Sequence, residues 1–287
     1  MPPPRLHPPA RPARRAAAQA IVKALLARGG TLVPVSLTGP GRGGTTVTVG
    51  EGEAVEVRMV GTDEDRRGAL EEAMEKYPGM VVIDFTLPAA VNENAELYCA
   101  AGCPFVMGTT GGDRAKLMDD VASAGLYAVI APQMGKQIVA LQAGLETMAE
   151  SFPAAFGGYT MTVVESHQST KVDTSGTAKE LVKSFNGMLG GEGFSNDDIE
   201  MVRDEEGQLG RMGVPKEALS GHAYHTYELT SADGSVTFQF QHNVCGRSIY
   251  AEGSVDAAVF LAERIAAGAG DKKVFNMVDV LKSGAMA

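Results

Sequence analysis

The sequence predicts an α/β chain: a doubly wound domain with a parallel sheet, then an α+β domain with an open mixed sheet. From about Gly79 to Glu150, short β-rich runs alternate with helical ones: MVVIDF, AAVNENAELYCAA, PFVMGTT, DRAKLMDDVASAG, YAVIAP and GKQIVALQAGLETMAE. Such units pack as a parallel, Rossmann-like sheet, because right-handed crossovers lay each helix on a sheet face. After about Phe152 the pattern changes to longer strands, YTMTVVES, DIEMVR, HAYHTYELT and SVTFQFQHNV, interrupted by one helix, TAKELVKSFNGML.

At the front, MPPPRLHPPARPARRAAAQA is rich in Arg, Ala and Pro and has no acidic residue. It fits an organelle transit segment without the usual serines, or a disordered tail over residues 1–18. AQAIVKALLARGG reads as a helix ending on a glycine, and TLVPVSL and VEVRMVG read as strands. Asp233-Gly234 marks a hairpin between the last two long strands. The helix SVDAAVFLAERIAAG and the tail VFNMVDVL fit either domain.

At 287 residues the chain buries a real core. Its formal charge is -10, yet Arg5, Arg11, Arg14, Arg15, Lys23, Arg28 and Arg42 precede the first acid, Glu51. An acidic body disfavours binding to phosphate backbones, so nucleic acid is excluded as a main partner. No run reaches the ~18 apolar residues of a membrane span, so no membrane partner is expected. Cys99, Cys103 and Cys245 make no even disulfide framework, which suits a reducing compartment.

In doubly wound sheets ligands sit beyond the carboxyl ends of the strands. Here those ends read DFTLP, GTTGG and APQMG. Gly108, Gly111 and Gly112 allow close backbone approach, and Thr109 and Thr110 offer hydroxyls. Turn-making alone also favours Gly and Thr, but three such ends in succession favour a ligand site.

A second constellation lies in VVESHQSTKVDTSGTAKEL. On a strand, Val163, Glu165 and His167 share one face, and Thr177 with Glu180 forms a capping box that starts a helix near Thr177. The helix N-terminus beside Ser175 and Thr177 attracts an anion. A capping box usually just starts a helix and a lone lysine is usually solvated. Together, however, His167, Lys171 and the anion site suit a small anionic substrate that must receive a proton. His222, His225, His242 and Cys245 match metal-ligand spacing, but strand residues three apart face opposite ways, so no metal is assigned to them.

The run ESHQSTKVDTSGTAKEL, with VIDFTLP and GTTGG before it and HNVCGRSIYAEGSVDAA and VFNMVDVL after it, resembles the dihydrodipicolinate reductase family over about residues 79–287. Gln168, where many bacterial members have a second histidine, and DTSGT without their proline look like the plant-type branch. The resemblance implies reduction of 4-hydroxy-tetrahydrodipicolinate, a cyclic dicarboxylate, by NADPH or NADH in the diaminopimelate route to lysine. It implies His167 as general acid, Lys171 as substrate-binding and proton-assisting, and Gln168, Ser175, Gly176, Thr177 and Arg247 around the substrate. Asp84, Phe85, Thr86, Gly108, Thr109, Thr110, Pro132, Gln133, Met134 and Gly135 would line the nicotinamide cofactor. It further implies a dinucleotide-binding domain of residues 1–134 and 248–287, a substrate-binding and oligomerisation domain of residues 135–247, and a homo-oligomer, dimer or tetramer. The compartment would be the plastid in a photosynthetic eukaryote and the cytoplasm otherwise.

Members of this family begin with a strand leading into a G-x-x-G-x-M-G loop. Here PPARPARRAAAQAIV holds that place, with no glycine before Gly29, so a central sheet position is expected to be unfilled. A non-catalytic relative that keeps only the dicarboxylate pocket is the alternative reading. Arg42 could meet a 2′-phosphate, but it reads more simply as a solvated loop charge.

Overall fold

The computed structural model describes residues 11–50, 54–109, 111–190, 193–268 and 270–284. The chain divides into two compact units, residues 1–135 with 250–287, and residues 136–249.

In the first unit, helix α1 spans Arg11–Ala27 and closes on the left-handed Gly29. Residues 11–18 are therefore helical rather than a disordered tail, as an alanine-rich run favours; residues 1–10 lie outside the described residues. Strand β1 is only Val35–Leu37, shorter than TLVPVSL suggests. Pro34, just before it, has no N–H to give a ladder and contributes only its carbonyl, to the Arg58 amide. Strand β2 (Thr46–Val49), which the sequence reading missed, pairs antiparallel with β3 (Val55–Val60), while β1 pairs parallel with β3.

Next come α2 (Arg66–Lys76), β4 (Val82–Asp84), α3 (Val91–Ala101), β5 (Phe105–Met107), α4 (Arg114–Ser123) and β6 (Ala128–Ile130). The Asp65 and Asp113 side chains cap α2 and α4, and Gly102 ends α3 in the left-handed conformation. Strands β4, β5 and β6 are parallel. Every residue of β5 and β6 is buried, as in strands covered on both faces. Helix α3 packs Val91, Ala95 and Tyr98 into this core, and α4 packs Leu117 and Val121, each at helical spacing. Near the end of the chain β11 (Val274–Phe275) joins β6 in parallel, and α8 (Met277–Lys282) follows from an Asn276 capping box. The strands thus form two sheets, β1-β3-β2 and β11-β6-β5-β4, and no described strand bridges them.

The second unit holds α5 (Lys136–Ser151), β7 (Thr160–His167), α6 (Gly176–Leu189), β8 (Glu200–Val202), β9 (His222–Thr230) and β10 (Thr237–Cys245). The sheet runs β10-β9-β7-β8 and is mixed: β7 is parallel to β8 and antiparallel to β9. The amphipathic α6 buries Leu181, Val182, Phe185 and Met188 against Met161, Val163, Tyr227 and Leu229 of the sheet. Helix α7 (Ser248–Ala267) follows β10.

Candidate active site

The site in the second unit begins with strand alternation. Val163, Glu165 and His167 lie two apart on β7, so the face that Val163 packs under α6 carries two titratable groups at its far end. Glu165 is fully buried and His167 nearly so. His167 Nδ1 lies 3.0 Å from Glu165 Oε2, a close contact rather than a well-aligned hydrogen bond. The Arg203 guanidinium donates to the other oxygen, Oε1, at 2.7 Å. Burial works to raise the Glu165 pKa, but His167 and Arg203 together hold it down to about 2. The carboxylate is therefore charged at neutral pH. It faces Nδ1 of His167 rather than Nε2.

The loop after His167 carries Gln168 and Lys171 and ends at Ser175. Gln168 is half-buried, and its carbonyl accepts the Lys171 amide at 2.9 Å. Lys171 Nζ pairs with Asp173 Oδ1 at 2.7 Å, and this contact holds the mostly exposed Asp173 carboxyl below its ordinary value. Helix α6 is capped by Ser175 rather than by the expected Thr177 box: Ser175 Oγ accepts from the Ala178 amide at 3.3 Å. The cap falls two residues early because Ser175 is anchored from both sides. Its amide donates to Glu165 Oε1 at 3.2 Å, and its hydroxyl meets His225 Nε2 at 2.9 Å. Gly176 is exposed and Thr177 half-buried in the first turn, where the helix dipole favours an anion. Arg247, half-buried, sits in the bend between β10 and α7.

The hairpin histidines split between faces as strand geometry requires. His222 turns to Ser166 Oγ at 2.8 Å, while His225 and His242, paired across β9 and β10, stack at 4.4 Å on the Glu165 side. One donor set crosses strands: ligand atoms of Glu165, His167 and His225 lie within 4.8 Å of one another. Arg203 on the same carboxylate opposes a further cation, and Ser175 already engages His225 Nε2.

Burial lowers the pKa of His222, pushes that of His225 well below its ordinary value, and takes His242 down to about 4. These rings are neutral in the fold and gain protons on unfolding as pH falls below the ordinary 6.5. Stability therefore falls as pH drops from 6.5 towards 4. Glu165 acts lower down, its contribution being lost between its ordinary 4.5 and about 2. Amide protection of β9 and β10, corrected for intrinsic exchange, is expected to be weaker at about pH 5 than at about pH 7.5. Equal protection would contradict the neutral assignment.

At the strand ends of the first unit, Asp84 is buried and its carboxylate is fully engaged. It accepts from the Thr86 amide at 2.7 Å, from Asn94 at 2.9 Å and from the Tyr98 hydroxyl at 2.8 Å. Asp84 thus shapes the loop through these three contacts. Arg66 extends the chain of contacts by donating to Asn94 Oδ1 at 2.6 Å. Thr86 and Thr109 are half-buried neighbours, linked by Thr109 Oγ1 donating to the Thr86 carbonyl at 3.0 Å. The side-chain space of Gly108 is filled by the Phe85 ring, since an added Cβ would come within 2.3 Å of it. The Phe85 ring therefore occupies the space beside the Gly108 backbone. Gly111 and Gly112 adopt positive φ, and Thr110 lies outside the described residues. After β6, Pro132 is exposed and Gln133 half-buried, with its Oε1 accepting the Gly135 amide at 2.8 Å, while Met134 and Gly135 are buried. Backbone groups and hydroxyls at the ends of β4 and β5 fit the amide end of a nicotinamide; Asp84 and Met134 fit only a supporting part.

In the second unit, Arg203, Gln208 and His225 belong to the surroundings of Glu165 and His167, and the sequence alone does not mark them as site residues. Only His225 carried a signal, as one of the hairpin histidines.

Two family models match, described as the N-terminus and the C-terminus of dihydrodipicolinate reductase, over residues 19–134 and 138–281. The chain is 50% identical over 268 residues to "4-hydroxy-tetrahydrodipicolinate reductase 1, chloroplastic" of Arabidopsis thaliana, covering 93% of this chain and 75% of that one. It is 50% identical over 269 residues to "Probable 4-hydroxy-tetrahydrodipicolinate reductase 1, chloroplastic" of Oryza sativa subsp. japonica, covering 93% and 76%. Among solved structures, the dipicolinate-bound dihydrodipicolinate reductase from Paenisporosarcina sp. TG-14 superposes with a TM-score of 0.60 at 18% identity, over 92% of this chain and 95% of that one, a likeness of fold. Parallel sheet and family match together define an NAD(P)H-dependent oxidoreductase with a Rossmann-type domain. The chain belongs to the dihydrodipicolinate reductase family. Its reaction is the reduction of 4-hydroxy-tetrahydrodipicolinate on the way to lysine, and the non-catalytic alternative is set aside.

Proposed function

We propose that the second unit binds the cyclic dicarboxylate with one carboxylate at the N-terminus of α6, beside Ser175, Gly176 and Thr177, and with Lys171 as the cationic partner. His167 delivers the proton. The observation that carries this reading is the Glu165–His167 contact, whose carboxylate also holds the cap residue of α6. One buried anion thereby orients both an acid and an anion site. When bound, NADPH or NADH supplies the hydride. Once the 4-hydroxyl has left as water, hydride addition to the resulting conjugated imine leaves an electron pair to which residues of this chain supply one proton. Lys171 exchanges the exposed Asp173 carboxylate for that of the substrate and stabilises the negative charge of the transition state. Arg247 and Gln168 are assigned to the rest of the dicarboxylate.

The cofactor is assigned to residues 1–134 with 248–287, with Phe85, Thr86, Gly108, Thr109, Thr110 and residues 132–135 around the nicotinamide. A homo-oligomer is proposed to form through the second unit's sheet. Supporting it, β10 is an edge strand of nine residues on which Phe238 is exposed, as is Val236 just before the strand. The plastid is the proposed compartment in a photosynthetic eukaryote, on the strength of the chloroplastic relatives. No helix is long and apolar enough to cross a membrane among the described residues.

The direct test is oxidation of NADPH and NADH by the purified chain with enzymatically generated substrate. Binding of a pyridine dicarboxylate without cofactor oxidation would overturn the catalytic reading. Within that assay, Lys171→Ala is expected to raise KM for the dicarboxylate and lower kcat, each by about tenfold or more. Wild-type constants would remove Lys171 from the site.

A further inference from the structure

The geometry points to Arg203 as a positioning residue for this reaction, a single guanidinium that fixes the proton donor and the lysine loop to one another. It rests on the roles proposed for His167 and Lys171. Arg203 follows β8, and its side chain is only 18% exposed. Its planar group reaches four acceptors: Nη2 donates to Glu165 Oε1 at 2.7 Å and to the Asp173 carbonyl at 3.4 Å, Nε to the Lys171 carbonyl at 2.8 Å, and Nη1 to the Val202 carbonyl at 3.1 Å.

Each contact constrains a different part of the site. With Oε1 of Glu165 engaged by Arg203 and by the Ser175 amide, Oε2 is left beside His167 Nδ1. The carbonyls of Lys171 and Asp173 flank Val172, which is 88% exposed, so the most outward part of the loop is fastened from beneath. Gln208 Nε2 completes the link, donating to the His167 carbonyl at 2.8 Å and to the Arg203 carbonyl at 3.2 Å. Arg203 touches backbone at residues 171 and 173, so it can hold the loop whatever side chains stand there. A lysine at 203 would keep the charge but lacks the fork that spans carboxylate and carbonyls at once.

The test is steady-state kinetics of the full chain with Arg203→Lys and Arg203→Ala, alongside His167→Ala and Lys171→Ala. Arg203→Lys is expected to lose about tenfold in kcat/KM for the dicarboxylate, through a higher KM and a lower kcat, with KM for NADPH unchanged. Arg203→Ala should lose about a hundredfold and recover part of it when guanidinium is added at millimolar concentration. Either variant within about twofold of wild type would overturn the inference. So would a loss in kcat alone that tracks the folded fraction and is not rescued, since that is what a merely structural residue gives. If Arg203→Ala does not fold, Arg203→Lys decides. Active His167→Ala and Lys171→Ala would sink the underlying reading; impaired ones beside unimpaired Arg203 variants would sink only this inference.

Discussion

His167→Ala is expected to lower kcat by about 10²- to 10⁴-fold with little change in substrate KM, the usual worth of a positioned general acid. The expectation follows from how the ring is held. Glu165 Oε2 faces Nδ1, the His167 carbonyl accepts from Gln208, and the His225 ring stands edge-on at 5.1 Å. The imidazole is oriented before substrate arrives, so little of its value is spent on binding. Steady-state kinetics separates the two constants, and added imidazole should restore part of the rate to the alanine variant. A raised KM at constant kcat would instead make His167 a binding residue.

Asp84→Ala is expected to destabilise the first unit by about 3 kcal/mol or more. Truncation leaves the Thr86 amide, the Asn94 amide group and the Tyr98 hydroxyl without their shared acceptor. Hydrogen bonds to a carboxylate are worth about 1.5–3 kcal/mol each and do not simply add. Asp84 already raises the Tyr98 pKa, after burial the largest cause, so the hydroxyl is bound as a donor. Urea unfolding followed by circular dichroism is the measurement, since the chain has no tryptophan. A shift below about 1 kcal/mol would show that water replaces the carboxylate at little cost. Because Asn94 also donates to Thr86 Oγ1, the same substitution should weaken cofactor binding through a loosened loop.

Much of this was legible in the sequence, and the limits have physical causes. Period-two alternation is a property of the strand itself, so Glu165 and His167 could be placed on one face without a structure. The alternation of β-rich and helical runs over 79–150 announced parallel strands because each crossover must lay its helix on a sheet face. Strand β2 was missed because TVTV shows only four alternating residues within a glycine- and threonine-rich stretch. The cap of α6 was misplaced by two residues because local spacing favours the Thr177 box, while Ser175 is fixed by Glu165 and His225 from other strands.

By itself the sequence determined the class of chain and the family to which it belongs, since those reside in local pattern and short-range spacing. Only the tertiary structure decided how the polar groups are spent. Arg203 reaches Glu165 across 38 positions and His225 reaches Ser175 across 50, and no periodicity encodes such meetings. The Asp84 carboxylate is shared among groups of its own unit, and the space beside the Gly108 backbone holds the Phe85 ring. A buried charge must be paired wherever the fold brings a partner, and that partner is chosen by packing in space rather than by neighbours along the chain.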